Sequence, residues 1–233
     1  MKVGILIHML NVLLLCFFLG ENTSGFAQNP DTSKSSPIIK LSPTKYKIGT
    51  IILDVENRQL QFPGEINMEK GVIELLACTP GGKRHESVLV VDIIPYHLQV
   101  SLLLLGLNYG DNLQYQGDPN TPTGDSVEVW VKWQWNNENY KVRGEDLIFD
   151  LVSKKTMVHT HWIFSGSRVI NGTYMADMEG SIITTYHDPF TILDNPLPGG
   201  GNDELYVVNH DLVPPKGTEI ELIIKAISKN KNM

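Results

Sequence analysis

Cysteine is nearly absent. Two occur in 233 residues, Cys16 and Cys78, and Cys16 lies in an apolar leader, so the body of the chain keeps one thiol. That excludes an intrachain disulfide, and it excludes cysteine-based zinc or iron–sulfur clusters, which need about four such ligands. No cofactor is expected on these grounds. A basic face is also lacking. The formal net charge is -7, and loss of Lys2 and Glu21 with the leader leaves it unchanged. With no cationic surface to neutralise phosphates or anionic headgroups, nucleic acid is not expected as a partner, nor a membrane beyond the export signal. The partner classes left are an unknown protein or a small ligand. No apolar run after the leader is long enough to span a bilayer, and no internal repeat or second domain is present.

Apolar residues make up 42% of the chain and charged residues 19%, a globular balance. Lys2, the apolar run Met9 to Leu19, and the small residues of Gly25-Phe26-Ala27 read as a signal peptide over 1–27 with cleavage before Gln28; the alternative is an uncleaved anchor, disfavoured because His8 and Asn11 break the apolar stretch and it is short for a span. The protein is therefore expected to be exported, to a periplasmic or extracellular location. Leu15 precedes Cys16 where a lipoprotein signal needs a small residue, so lipidation is excluded. Residues 28–44, rich in Ser, Pro, Thr and Lys, read as a flexible linker. The domain itself spans 45–228, and 229–233 form a frayed basic tail.

Within the domain, Ile48 to Val55 and Leu60 to Phe62 flank a turn at Glu56-Asn57-Arg58, the pattern of a hairpin. Val72 to Ala77 and Val88 to Ile94 are apolar runs of strand length. Val127, Val129, Val131, Trp133 and Trp135 alternate with polar residues, which marks a half-buried strand. On parity, Trp133 and Trp135 belong to the core, and Trp130 is the exposed aromatic. Further strands are expected over Tyr140 to Val152, Val158 to Phe164, Ser181 to Tyr186 and Ile220 to Ala226, with a short helix over Asp188 to Leu193. Pro95 to Leu107 lacks period-2 alternation. Pro95 suits a helix start and Gly106 or Gly110 its end. The sum is an α+β fold: a β-rich single domain, mostly an antiparallel sheet with one main helix (about 95–106) packed on it.

The segment Cys78 to Ser87 concentrates reactive groups between two apolar runs, the setting in which loops display sites. It is not a Walker loop, because Ala77 stands where the first glycine belongs and Arg84 follows Lys83. A looser anion nest around Gly81 and Gly82 competes with a plain β-turn at Pro80-Gly81. Cys78 and His85 form a candidate nucleophile–base pair, with Glu86 or Glu74 to orient the imidazole. Against that, Cys78 continues a buried strand, and neighbours such as His85 and Glu86 would face opposite ways on a strand. Ligand binding is assigned to Lys83, Arg84, His85, Glu86 and Trp130. His159 and His161, two apart on a strand, are weak metal candidates that need a third ligand from His85, His97, His187 or Asp188. Asn171-Gly172-Thr173 matches a glycosylation sequon but reads more simply as a turn.

Gly71-Val72-Ile73-Glu74-Leu75-Leu76-Ala77-Cys78 followed by Gly82-Lys83-Arg84-His85-Glu86-Ser87 resembles the signature of the YdjY-domain family. Trp162 to Ser167, Tyr174 to Gly180, Leu193 to Pro196 and Val213 to Thr218 extend the resemblance over roughly residues 45 to 226. It implies a bacterial, commonly exported domain of no fixed biochemical activity. Some relatives carry cysteine-rich iron–sulfur segments, and this chain lacks those cysteines. The functional expectation is a non-catalytic ligand- or partner-binding domain that uses the 78–87 loop. The alternative is a cysteine-dependent or metal-assisted enzyme centred on Cys78, His85 and Glu86.

Overall fold

A computed structural model describes residues 38–111 and 113–227. The leader at 1–27, residues 28–37 of the linker segment and the tail at 229–233 lie outside the described residues. The chain opens with an antiparallel meander of β1 (Ile38–Lys40), β2 (Lys45–Ile48) and β3 (Ile51–Asp54), which leads into β4 (Gln59–Ile66). Residues 38–40, read from sequence as linker, thus add a strand to the edge of the sheet. Gly49, at φ 60, turns the chain between β2 and β3, which splits the apolar run Ile48 to Val55 into two strands.

β5 (Leu75–Cys78) and β6 (Ser87–Val91) follow, then α1 (Pro95–Leu104). The long hairpin of β7 (Ser126–Trp135) and β8 (Glu138–Arg143) precedes β9 (Ile148–Asp150), β10 (Lys155–Thr156) and β11 (Trp162–Phe164). A two-stranded ribbon of β12 (Val169–Ile170) and β13 (Thr173–Tyr174) leads into the five-residue α2 (Met175–Glu179). β14 (Ser181–Thr184), β15 (Leu193–Asp194), β16 (Tyr206–Val208) and β17 (Glu219–Ala226) complete the order. Asp188 to Leu193 forms no helix: the Asp188 carboxylate accepts from Phe190 N at 2.9 Å and holds the chain in a turn.

This architecture corrects the expected α+β arrangement. The sheet closes on itself in the order β4-β17-β7-β11-β15-β14-β5-β6, and β6 pairs back onto β4. The result is an eight-stranded barrel. It is mixed, because β5–β6 and β14–β15 are parallel. The core is therefore covered by the sheet's own far wall and not by a helical layer. Inside, Val129, Val131 and Trp133 of β7 stand opposite Ile224, Leu222 and Ile220 of β17, all buried. Each aliphatic side chain removed from water there contributes about 1.5–3 kcal/mol.

Closure depends on how β4 changes neighbours. Its first half pairs with β3 and its second half, from Gly64, pairs with β6. Pro63, which has no N–H to give, stands where one neighbour is exchanged for the other. A Cβ on Gly64 would lie 2.6 Å from Val90 O, so glycine is what lets β6 come close enough to pair. The helix is as expected at its ends. Pro95 occupies the first turn, and Gly106 at φ 79 terminates it. Leu98 and Leu102 add to the barrel core.

Candidate functional site

The chain from Cys78 to Ser87 is the connection between two adjacent parallel strands. Leu75 pairs with Ser87 and Cys78 with Val90. After Cys78 the chain must therefore travel back along the outside of the barrel before it can start β6. Parallel neighbours ordinarily need a crossover of about a dozen residues or more, usually a helix. Here Thr79 to Glu86 does it with one 3-10 turn, Arg84–Glu86. A second short crossover, Thr185 to Ile192, joins the parallel pair β14 and β15. The two lie side by side, since β5 and β14 are themselves paired.

The first crossover is pinned from beneath. Thr79 N donates to Gly180 O at 2.9 Å. Asn67 Nδ2 donates to Ser87 O at 2.7 Å, and Ser87 Oγ to Lys83 O at 2.8 Å. A Cβ on Gly82 would lie 2.9 Å from Gly180 O and 3.1 Å from Cys78 Cβ. Gly82 is thus laid directly on the cysteine. With Leu75 and Val90, Cys78 forms a small apolar cluster on the barrel's outer wall, fully buried by the loop.

This geometry separates the residues proposed to act together. Burial pushes the Cys78 thiol up, against the weaker pulls of Ser87 and Arg84. His85 is 77% exposed and its Nε2 sits 3.0 Å from Glu86 Oε1, so its partner is the glutamate and not the thiol. Lys83 Nζ is 2.7 Å from Glu74 Oε2 and 3.9 Å from Glu86 Oε2. Burial lowers the lysine's proton affinity, but Glu74 first, then Glu86 and Asp188, more than reverse this and hold it above its ordinary value. Arg84 leans toward Glu65 at 3.9 Å and is half exposed.

Glu74 is the residue the sequence reading undervalued. Its N–H donates to Glu86 O, its carbonyl accepts from Thr185 N and Tyr186 N, and its carboxylate holds Lys83. It links both crossovers. The signal was available only as a lone charge inside the apolar run Val72 to Ala77. Asp188, considered as a metal ligand, is instead buried in the second crossover and accepts from Ser181 Oγ at 2.9 Å.

The remaining candidates lie elsewhere. Trp130 is half-buried and occupied: Lys141 Nζ lies 4.8 Å from its ring centre, Arg143 Cζ 5.3 Å, and its Nε1 donates to Glu128 at 3.1 Å. Trp133 is buried and stacks on Tyr140, but Trp135 is exposed, because β17 ends its pairing with β7 at Trp133. His159 pairs with Asp146 at 2.7 Å, and His161 is exposed. Among the described residues no group of three or more His, Cys, Asp and Glu is placed to hold a metal.

Beside the first crossover, a shallow groove of about 500 Å³ is lined by Pro63, Glu65, Pro80, Val90, Asp92 and Glu219 among others. No curated protein and no solved structure matches the chain. The YdjY domain matches from the start of β3 almost to the end of β17, residues 51–225, and the chain belongs to that family.

Proposed function

We propose that this is an exported, non-catalytic binding domain that engages a ligand or protein partner through the outer side of residues 83–86 and the groove beside Pro80. One observation carries the reading. The crossover is fixed underneath by Gly82, Asn67 and Gly180, while Arg84 and His85 point outward on a frame that holds them in place. A pre-ordered loop loses little conformational freedom on binding. The leader read from Lys2 to Ala27 supports export, and the acidic net charge supports a partner other than nucleic acid. The cysteine-centred alternative is less well supported, because Cys78 lies under Gly82 and His85 faces solvent.

A photo-crosslinking residue placed at position 85 in the exporting cell tests this. A discrete adduct from position 85, missing from the exposed control position His210 and lost when Arg84 is also changed to alanine, is the expected result. Equal labelling from both positions, or adducts indifferent to Arg84→Ala, would refute it.

A further inference from the structure

The groove beside Pro80 does not end at the first crossover. It shares Glu219 and Ile220 with a second groove of about 530 Å³, which continues over Lys132, Gln134, Asn139 and Lys141. Strand register accounts for the shape. β6, β4, β17, β7 and β8 lie side by side on this wall of the barrel. Pro63 stands opposite Glu221, Glu221 opposite Lys132, and Lys132 opposite Lys141. Two residues further along each strand, and so on the same face, a second row runs through Val90, Glu65 and Glu219 to the pair Gln134 and Asn139. The groove lies between the two rows. Gly64, which brings no side chain, is part of its floor. Crossing from β6 to β8 takes about 19 Å at about 4.8 Å per strand step, the reach of an extended segment of about six residues.

The charges along it are uneven. Glu65 and Glu219 face each other directly across β4 and β17, and like charges so placed repel. Asp92 lines the same end. Among the described residues Asp92 and Glu219 have no ion-pair partner, and Glu65 has only Arg84, at 3.9 Å. Lys132 is taken by Glu221 at 3.1 Å, and Lys141 lies over Trp130. The β4 end therefore holds an excess of negative charge that a bound cation would relieve. A metal ion is a poor match, because among the described residues no three ligating side chains converge. Pro63, Pro80 and Val90 beside the carboxylates suit the aliphatic stem of a lysine or arginine, whose charged head then meets the carboxylates. At the far end Gln134 and Asn139 are exposed. Each amide can donate and accept, as the main chain of a peptide requires.

We infer that this groove binds an extended, basic segment of a partner protein, with a lysine or arginine seated between Glu65 and Glu219 and the main chain running over β17 and β7 toward Gln134. The inference rests on the reading of the groove beside Pro80 as a binding surface and names the chemistry of its partner. Arg84, on the rim, remains a donor for the carbonyl groups of that segment, so no acidic residue is needed opposite it.

The test is selection of a random heptapeptide display library on the folded, leader-free protein, followed by NMR mapping of the most enriched peptide on the backbone amides of Gly64, Ile220 and Gln134. Expected are peptides richer in Lys and Arg than in Asp and Glu, which shift those amides. Glu65→Gln combined with Glu219→Gln should weaken the enriched peptide about tenfold or more. The same double variant should melt no lower than the unmodified protein, because it removes a like-charge contact. Spermine, which carries charge without a main chain, should bind far more weakly than the peptide. The inference is overturned if no peptide is enriched, if the enriched peptides carry no basic excess, if the double variant binds them equally well, or if spermine binds as tightly. Selection on the unmodified protein gives an answer even if the double variant fails to fold. A discrete crosslink from position 85 beside a library without basic excess overturns this inference alone, whereas loss of that crosslink overturns the binding reading.

Discussion

Two short crossovers of similar length solve the same problem differently. Thr79 to Glu86 and Thr185 to Ile192 each carry the chain between adjacent parallel strands without a helix. Each contains a histidine and an acidic residue. In the second, His187 is buried with Nδ1 2.6 Å from Asp118 O and Nε2 2.8 Å from Asn195 O, and Asp188 is buried on Ser181. In the first, His85 projects into solvent and Glu86 stays half-covered. A histidine followed by an acidic residue serves structure in one crossover and display in the other. What differs is cover: the second is roofed by the segments at 118 and 195–200, and among the described residues the first has no such roof over Arg84 and His85.

The largest effect should come from breaking the buried side of this comparison. His187→Ala removes the imidazole held between the carbonyls of Asp118 and Asn195, with the hydrogen bond its N–H donates, and opens a cavity, which should cost about 3 kcal/mol in chemical denaturation. The next effect strikes the frame that both crossovers share. Gly64→Ala forces a Cβ against Val90 O and should cost about 1–3 kcal/mol by straining the β4–β6 closure, read as a lowered melting temperature.

How much of this was legible beforehand depends on the range of the interactions. Val127 to Trp133, Ile220 to Ala226 and the Pro95 helix were readable, because burial there follows a local period and local end signals. Barrel closure was not. It requires β4 to abandon β3 for β6 at Pro63-Gly64, and no alternation encodes which distant strand is the next neighbour. The same holds for Thr79 to Glu86. Its residues stood out at once, yet its path back over Cys78 follows from the parallel pairing of β5 with β6. Trp135 illustrates the limit of parity: it has the core phase but extends past the end of β17.

A smaller, pH-dependent effect tests the polar floor of the second crossover. Asp194 is almost wholly buried, and burial above all raises its carboxyl well above the ordinary value. Stability from its protonated form should be present in acid and lost as pH rises from about 3.9 through the folded value. Asp194→Asn mimics the protonated acid, so its stability-versus-pH curve should be flatter over that window, with the gain over the unmodified protein growing toward neutral pH. An unchanged slope would contradict it. The smallest effect is expected on the displayed side. His85→Ala, at a 77% exposed position, should change stability by no more than about 0.5 kcal/mol, so that the two histidines differ severalfold in cost.

The first crossover lies over the thiol and leaves its own outer residues, Arg84 and His85, facing solvent. Cys78 is the one thiol after the leader, so alkylation kinetics on the folded, leader-free protein at neutral pH measure that cover directly. Labelling should be far slower than that of a free cysteine and should speed up only with unfolding, or when Gly82 is replaced by a residue too large to rest on Cys78. Labelling of the native protein as fast as a free thiol, or faster, would contradict the account and restore Cys78 as a nucleophile.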